Sequence, residues 1–273
     1  MTASRNEREA RQCAEAFRAE NNLGTQPIGD LISLIERATG HDVAVLNAGE
    51  NEHGLTVRDP QRDVTFIGVA TTPHPMRQRS TLAHELAHVL FGDTELAVGK
   101  RPAAEIRADA FARHLLVPHQ GVITLLGERT DATPAELSDV VQTYLVSPRI
   151  AAIALRDAGL ISPQTYSEWA TLSTRSLATR FGWSDQYSAL AAESQCTRAP
   201  RRLLARAVDG YIAGVVDAQK IAMLRGVPVA TVRADFQAAG ITPRQTDPTD
   251  LPADALPPVK VDLSELDEGD DTT

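Results

Sequence analysis

The hydrophobic pattern changes period twice along the chain. Ala10, Cys13, Ala14 and Phe17 recur at helical intervals in "RNEREARQCAEAFRAE", with charges between them, which predicts a helix over residues 5–20. Ile28, Leu31, Ile32 and Ile35 make a second helical stripe that stops at Gly40. The period then shortens. "DVAVL" (42–46), "GLTVRD" (54–59) and "VTFIGVA" (64–70) are β-rich runs divided by Gly, Asn, Asp and Pro, and they predict a small antiparallel sheet. The last run is the expected edge for an added peptide strand. After two prolines in "TTPHP", helical spacing returns in "MRQRSTLAHELAHVLF" (76–91), which ends at Gly92, and in "AAEIRADAFARHLL" (103–116), between Pro102 and Pro118. Beyond Pro118 the pattern is almost wholly helical, with segments expected at 120–127, 134–145, 148–158, 163–179, 184–195, 200–216, 217–225 and 228–239.

This order predicts an α+β domain followed by a mostly helical one. We expect divisions at 1–125, 126–180, 181–245 and an acidic tail over 246–273. The 273 residues suffice for one large domain or two modest ones. Two cysteines, Cys13 and Cys196, lie far apart and outside any CxxC pair, which suggests neither a disulfide framework nor a cysteine zinc site and fits a reducing compartment. The first residues carry charge throughout, and no run approaches the ~18 apolar residues of a membrane span. A cytoplasmic protein without membrane partners is expected. Charge modifies the picture only at one end: nine acidic residues and one basic, Lys260, follow Thr246, so the tail carries −8 of the net −9 and the body is nearly neutral. With four prolines and no aromatic residue, the tail is expected to be disordered and solvating.

The candidate chemistry lies in "TLAHELAHVLFG" (81–92). On a helix, His84 and His88 share a face and can present two imidazole nitrogens to one point, while Glu85, about 100° around, can flank a metal without ligating it. That is where a general base for metal-activated water belongs. The competing account is an amphipathic core helix whose histidines are merely hydrogen-bonded, and HExxH by itself leaves both open. Glu105 and Asp109 tip the balance. They share a face of the next helix with the small residues Ala108 and Ala112, so one carboxylate is available as third ligand and the other to accept the second N–H of a ligand histidine. Two histidines and three carboxylates together without a cation would be costly to bury. His74, between two prolines before the helix, is a candidate transition-state donor, although such a loop histidine is more often structural or exposed; His114 rotates to the opposite face from Glu105.

"RQRSTLAHELAHVLFGD" followed by "EIRADAFARHLLVP" resembles the ImmA/IrrE family of zinc metallopeptidases, in which HExxH is followed by E-x-x-A-N/D-x-F-A-x-x-L-L-x-P. The resemblance covers about residues 5–120. It implies a zincin-like fold, one Zn2+ with Mn2+ as a substitute, His84, His88 and Glu105 as ligands, Glu85 as catalytic base and Asp109 as the residue that orients a ligand histidine. Asp109 as third ligand is the alternative. Departures fall before the metal helix, where the family often has an asparagine near the end of the strand and an aromatic residue, and this chain has "VTFIGVATTPHP" and "RQRST".

The helical half holds two segments with helix-turn-helix-like spacing. "ELSDVVQTYLVSPRIAAIALRDAGLIS" (136–162) resembles the segment that follows the protease core in IrrE-type members but lacks the turn glycine. "DAQKIAMLRGVPVATVRADFQAAGI" (217–241) places Ala222, Gly226 and Val232 where crossing helices need them. Its balance of Lys220, Arg225 and Arg233 against Asp217 and Asp235 gives weak support for DNA binding, and docking a protein or simple packing are alternatives. Arg198, Arg201, Arg202 and Arg206 are expected on a solvated face with an acidic counterpart. The resemblance implies an endopeptidase that cuts a helix-turn-helix transcriptional repressor encoded nearby, derepressing stress or mobile-element genes. A non-proteolytic regulator binding DNA or a repressor, or a part of a toxin-antitoxin-like module, are the alternatives.

Overall fold

The computed structural model describes residues 5–48, 54–59, 61, 64–93, 103–127 and 129–244. The expected acidic tail lies outside them. Helices α1 (Arg5–Glu20) and α2 (Leu31–Thr39) precede three strands, β1 (Asp42–Leu46), β2 (Gly54–Asp59) and β3 (Val64–Ala70), and these lead into α3 (Pro75–Phe91) and α4 (Ala103–Leu116). Asp30 caps α2 by accepting from the Ser33 amide, and Gly40 ends it in the left-handed region that glycine enters without penalty. The architecture is α+β, as expected.

The sheet itself differs from the expectation of an antiparallel one. Its order is β1-β3-β2, with β1 parallel to β3 and β2 antiparallel to it. The chain steps over the middle position to lay down β2 at an edge and returns to fill the centre with β3. Burial accounts for the order: β3 buries Thr65, Ile67 and Val69 and partners the buried Val43 and Val45 of β1, whereas β2 leaves Leu55 and Val57 exposed. The most apolar strand takes the most covered place. β3 is therefore not an edge and cannot accept a further strand. The outer side of β1 is occupied at one point, where Val45 and Arg198 exchange backbone hydrogen bonds of 2.9 and 3.0 Å.

The helical half comprises α5 (His119–Leu126), α6 (Pro134–Tyr144), α7 (Pro148–Asp157), α8 (Pro163–Trp169), α9 (Thr174–Arg180), α10 (Ser184–Ser194), α11 (Arg201–Ile212), α12 (Ala218–Arg225) and α13 (Val229–Ala239). The single helix expected over 163–179 is broken, because Ser173 caps a new one by accepting from the Ser176 amide. One continuous core runs from Ala10 to Tyr187, across the divisions expected at 125/126 and 180/181. A second, smaller cluster gathers Ala207, Ala218, Ile221, Ala222, Val232 and Phe236 from the last three helices. No described helix is long and apolar enough to cross a membrane.

α1 is docked against α4 partly by a buried charge. Arg18, only 4% exposed, donates to the carbonyls of Gly24 at 2.8 Å and Leu115 at 2.6 Å, and to that of Gln26. Burial lowers its pKa, but an arginine stays protonated, and the carbonyls satisfy what water would otherwise solvate. This pins the helix that frames the metal-site helices.

Candidate metal centre

Pro75 opens α3 at a position where its missing N–H costs nothing, and Gly92, at φ 69°, closes it. Between them Leu82, Ala83, Leu86 and Ala87 turn into the core and fix the rotation of the helix. That rotation sends His84 and His88 toward α4, whose buried Ala108 and Ala112 let the two helices pack closely. The Nε2 atoms of His84 and His88 lie 3.1 Å apart. Glu105 brings one carboxylate oxygen to 3.2 Å from His84 Nε2 and the other to 3.3 Å from His88 Nε2. One ligand atom from each of the three residues falls within 4.8 Å of the others.

Asp109 stands one turn past Glu105 and does not join this point. Its Oδ1 accepts from the Nδ1–H of His84 at 2.9 Å, which fixes the tautomer and leaves the Nε2 lone pair facing the triad. Of the two carboxylates that the pattern left open, Glu105 is thus the one that converges with the histidines. Burial pushes the His84 ring toward its neutral form, but the hydrogen bond and charge of Asp109, with Glu105 and Glu85, outweigh it and raise the pKa above its ordinary value. A field that favours a proton on an imidazole also favours a divalent cation beside it. Converging lone pairs at this spacing need a positive partner, so the donor set fits a metal ion of the zinc class. His88 Nδ1 is buried and has no hydrogen-bond partner among the described residues.

Glu85 lies beside the triad, 9% exposed, and near enough for its charge to act on His84. Its Oε2 accepts from the Thr56 hydroxyl at 2.8 Å. Thr56 was not foreseen from the sequence; the only signal is its inward position in the alternation of β2. Gly54, two residues earlier on the same face, makes room for the pair. A Cβ there would stand 2.5 Å from Thr81 Cγ2 and 2.8 Å from Glu85 Oε1.

The triad helix opens on a cleft of about 1160 Å³ that His84, Glu85 and Asp109 line together with Gly54 and Thr81. His74 lines the same cleft as N-cap of α3, but ten residues, about 15 Å of helix, separate it from His84. It does not join the triad. His114 points away, with Nε2 donating to Glu7 Oε1 at 2.8 Å. The rest of the cleft comes from the helical half: Ser147 to Ile150 at the start of α7, Thr174 and Arg175 at the start of α9, and Tyr187 of α10. Sequence periodicity gave these helices no part in the site.

No curated protein matches the chain. Residues 38–156 match the peptidase family model described as the IrrE N-terminal-like domain, a span that holds the whole sheet, the three converging side chains, Glu85 and Asp109. The matched span takes in both the HExxH helix and the helix that carries Glu105 and Asp109, so residues 38–156 of this chain are similar to the IrrE N-terminal-like peptidase domain.

Proposed function

We propose that the protein is a zinc-dependent endopeptidase of the cytoplasm that cleaves another protein, and that its substrate is a helix-turn-helix transcriptional repressor. The observation that carries the reading is the pairing of an ion-ready triad with a separately held carboxylate: His84, His88 and Glu105 converge, while Glu85 is anchored apart from them on Thr56. Metal binding alone would not need Glu85.

Zinc, or manganese in its place, supplies Lewis acidity when bound, lowering the pKa of water beside it and polarising the scissile carbonyl. Glu85 takes the proton of the attacking water on one carboxylate oxygen and passes it to the leaving amine. Thr56 holds the other oxygen, so the base is aimed before substrate arrives. Asp109 keeps the His84 ring in the tautomer that offers Nε2. β2 is the sheet edge nearest the site, and an extended substrate hydrogen-bonded along it would pass over Glu85.

Repressor cleavage rests on the family resemblance. A regulator that binds DNA through α12 and α13 is the weaker reading, because Arg225, one of the few cations there, is paired with Asp235 at 2.7 Å. The test is to incubate zinc-loaded protein with the repressor encoded beside its gene and to map any cut by mass spectrometry. Glu85→Gln should retain the metal and lose cutting by about 10²- to 10⁴-fold. Cutting that persists in that variant would overturn the peptidase reading.

A further inference from the structure

The charge around the cleft runs against that of the whole chain. Arg77 of α3, Arg113 of α4, Arg149 of α7 and Arg175 of α9 line it, and among the described residues its only acidic lining side chains, Glu85 and Asp109, belong to the metal centre. Arg113 is committed to Glu7, at 2.8 Å. Arg77, Arg149 and Arg175 are exposed and make no ion pair among the described residues. Elsewhere on this surface arginines find carboxylates: Arg202 meets Asp42 at 2.9 Å and Arg107 meets Asp93 at 2.6 Å. Three uncommitted guanidinium groups from three separate helices around one concavity leave a positive rim whose partner must come from outside.

The start of α7 strengthens the same sign. Ser147 caps that helix and lines the cleft with Pro148 and Arg149, so the partial positive charge of a ten-residue helix faces the same space. Apolar surface lies between the charges, from Met76, Ile150, Ile153 and Leu172. A chain that satisfies both would carry acidic side chains interspersed with apolar ones.

We infer that the cleft selects a substrate segment in which glutamate or aspartate residues flank the scissile bond, with Arg149 and Arg175 as specificity-determining residues. This rests on the peptidase reading for the word substrate, but the recognition itself requires only the cleft. Arg149 and Arg175 enter from the helical half, which thereby forms part of the substrate site.

The experiment uses the full chain with Glu85→Gln, so that no probe is cut, and follows fluorescence anisotropy of an extended fluorescein-labelled peptide rich in glutamate and leucine. Its glutamine and lysine counterparts are the comparison probes. The glutamate peptide should bind about ten-fold more tightly than the glutamine peptide at low salt, and the advantage should shrink as salt is raised. Arg149→Glu combined with Arg175→Glu should invert the order so that the lysine peptide binds best, a gain that misfolding could not produce. Equal binding of the three probes, or a preference that the double substitution leaves unchanged, would overturn the inference. Cleavage by the metal-loaded protein without Glu85→Gln is scored separately: acidic preference without any cutting would overturn the peptidase reading and leave recognition of acidic chains standing.

Discussion

At the level of single residues, the site separates two tasks that the sequence pattern runs together. In the proposed function, holding a cation falls to His84, His88 and Glu105, whose ligand atoms converge, and preparing a base falls to Glu85, which is bonded to Thr56. Thr56→Val keeps the shape of the side chain and removes only the hydroxyl that bonds Glu85. Metal content should stay near stoichiometric by atomic absorption while kcat falls about ten-fold, the share expected of one lost orienting hydrogen bond. Asp109→Asn should do the reverse. It removes the charge that accepts from His84 Nδ1, so zinc affinity measured by chelator competition should weaken about 10- to 100-fold. The histidines, Glu85 and the two carboxylates were legible in the sequence because their spacing on helices is fixed by the 3.6-residue turn. Thr56 and Gly54 were not, since what places them beside Glu85 is a strand pairing that no local pattern encodes.

At the level of elements, the helices were more legible than the sheet. A helix is specified by its own stripe and caps, whereas strand order depends on which apolar face wins the covered position, and β3 won the centre that its own alternation could not announce. The missing glycine in the turn after α6 has a local answer: Leu145 itself takes the left-handed conformation at φ 53°, and its side chain packs on the core to offset a strain of about 1 kcal/mol. The docking of α1 on α4 carries a pH dependence. Burial would raise the Glu7 pKa, but Arg113 and His114 outweigh it and hold the carboxyl below its ordinary 4.5. Burial lowers the His114 ring below 6.5 despite Glu7. Both folded values lie below the unfolded ones, so each group contributes stability present at higher pH: that of His114 fades as pH falls below about 6.5, and that of Glu7 below about 4.5. The His114 contribution should therefore lower the melting temperature between pH 7.5 and 5.5, against the opposite contribution of the raised His84 pKa, and His114→Gln should remove that part of the slope when followed by circular dichroism. An unchanged slope in the variant would remove His114 from the account.

At the level of the whole molecule, the helical half is a wall of the site, and the boundary that matters is set by where the core ends. Trp183 Nε1 donates to Ser138 at 2.9 Å, Tyr187 closes the core and lines the cleft, and Ser194 is tied to the approach to α3: its hydroxyl donates to the Thr72 carbonyl at 2.7 Å, and its own carbonyl accepts from Gln78 at 2.9 Å. Residues 183–194 therefore hold the segment that leads into the metal helix, and residue 198 still pairs with β1. Past Ala199 the attachments change in kind. They are largely polar and peripheral, as in the pair Arg202 and Asp42, and Arg201, whose amide donates to Glu36 at 2.9 Å, while the apolar side chains of α11 to α13 pack among themselves. Of the arginine cluster, Arg198 meets Asp30, the cap of α2, at 3.5 Å and Arg202 meets Asp42 of β1, while the guanidinium groups of Arg201 and Arg206 make no ion pair among the described residues. We propose a division near residue 199. A chain ending at Ala199 should fold, take up one zinc and melt within a few degrees of the full chain. A chain ending at Gly182 should lose on the order of 5 kcal/mol from the missing Trp183 and Tyr187 alone, a large part of what a domain possesses, and with it both cooperative melting and zinc uptake. Cooperative melting and zinc uptake by the shorter chain would mean that the core closes without α10, and would return the division to the end of α9.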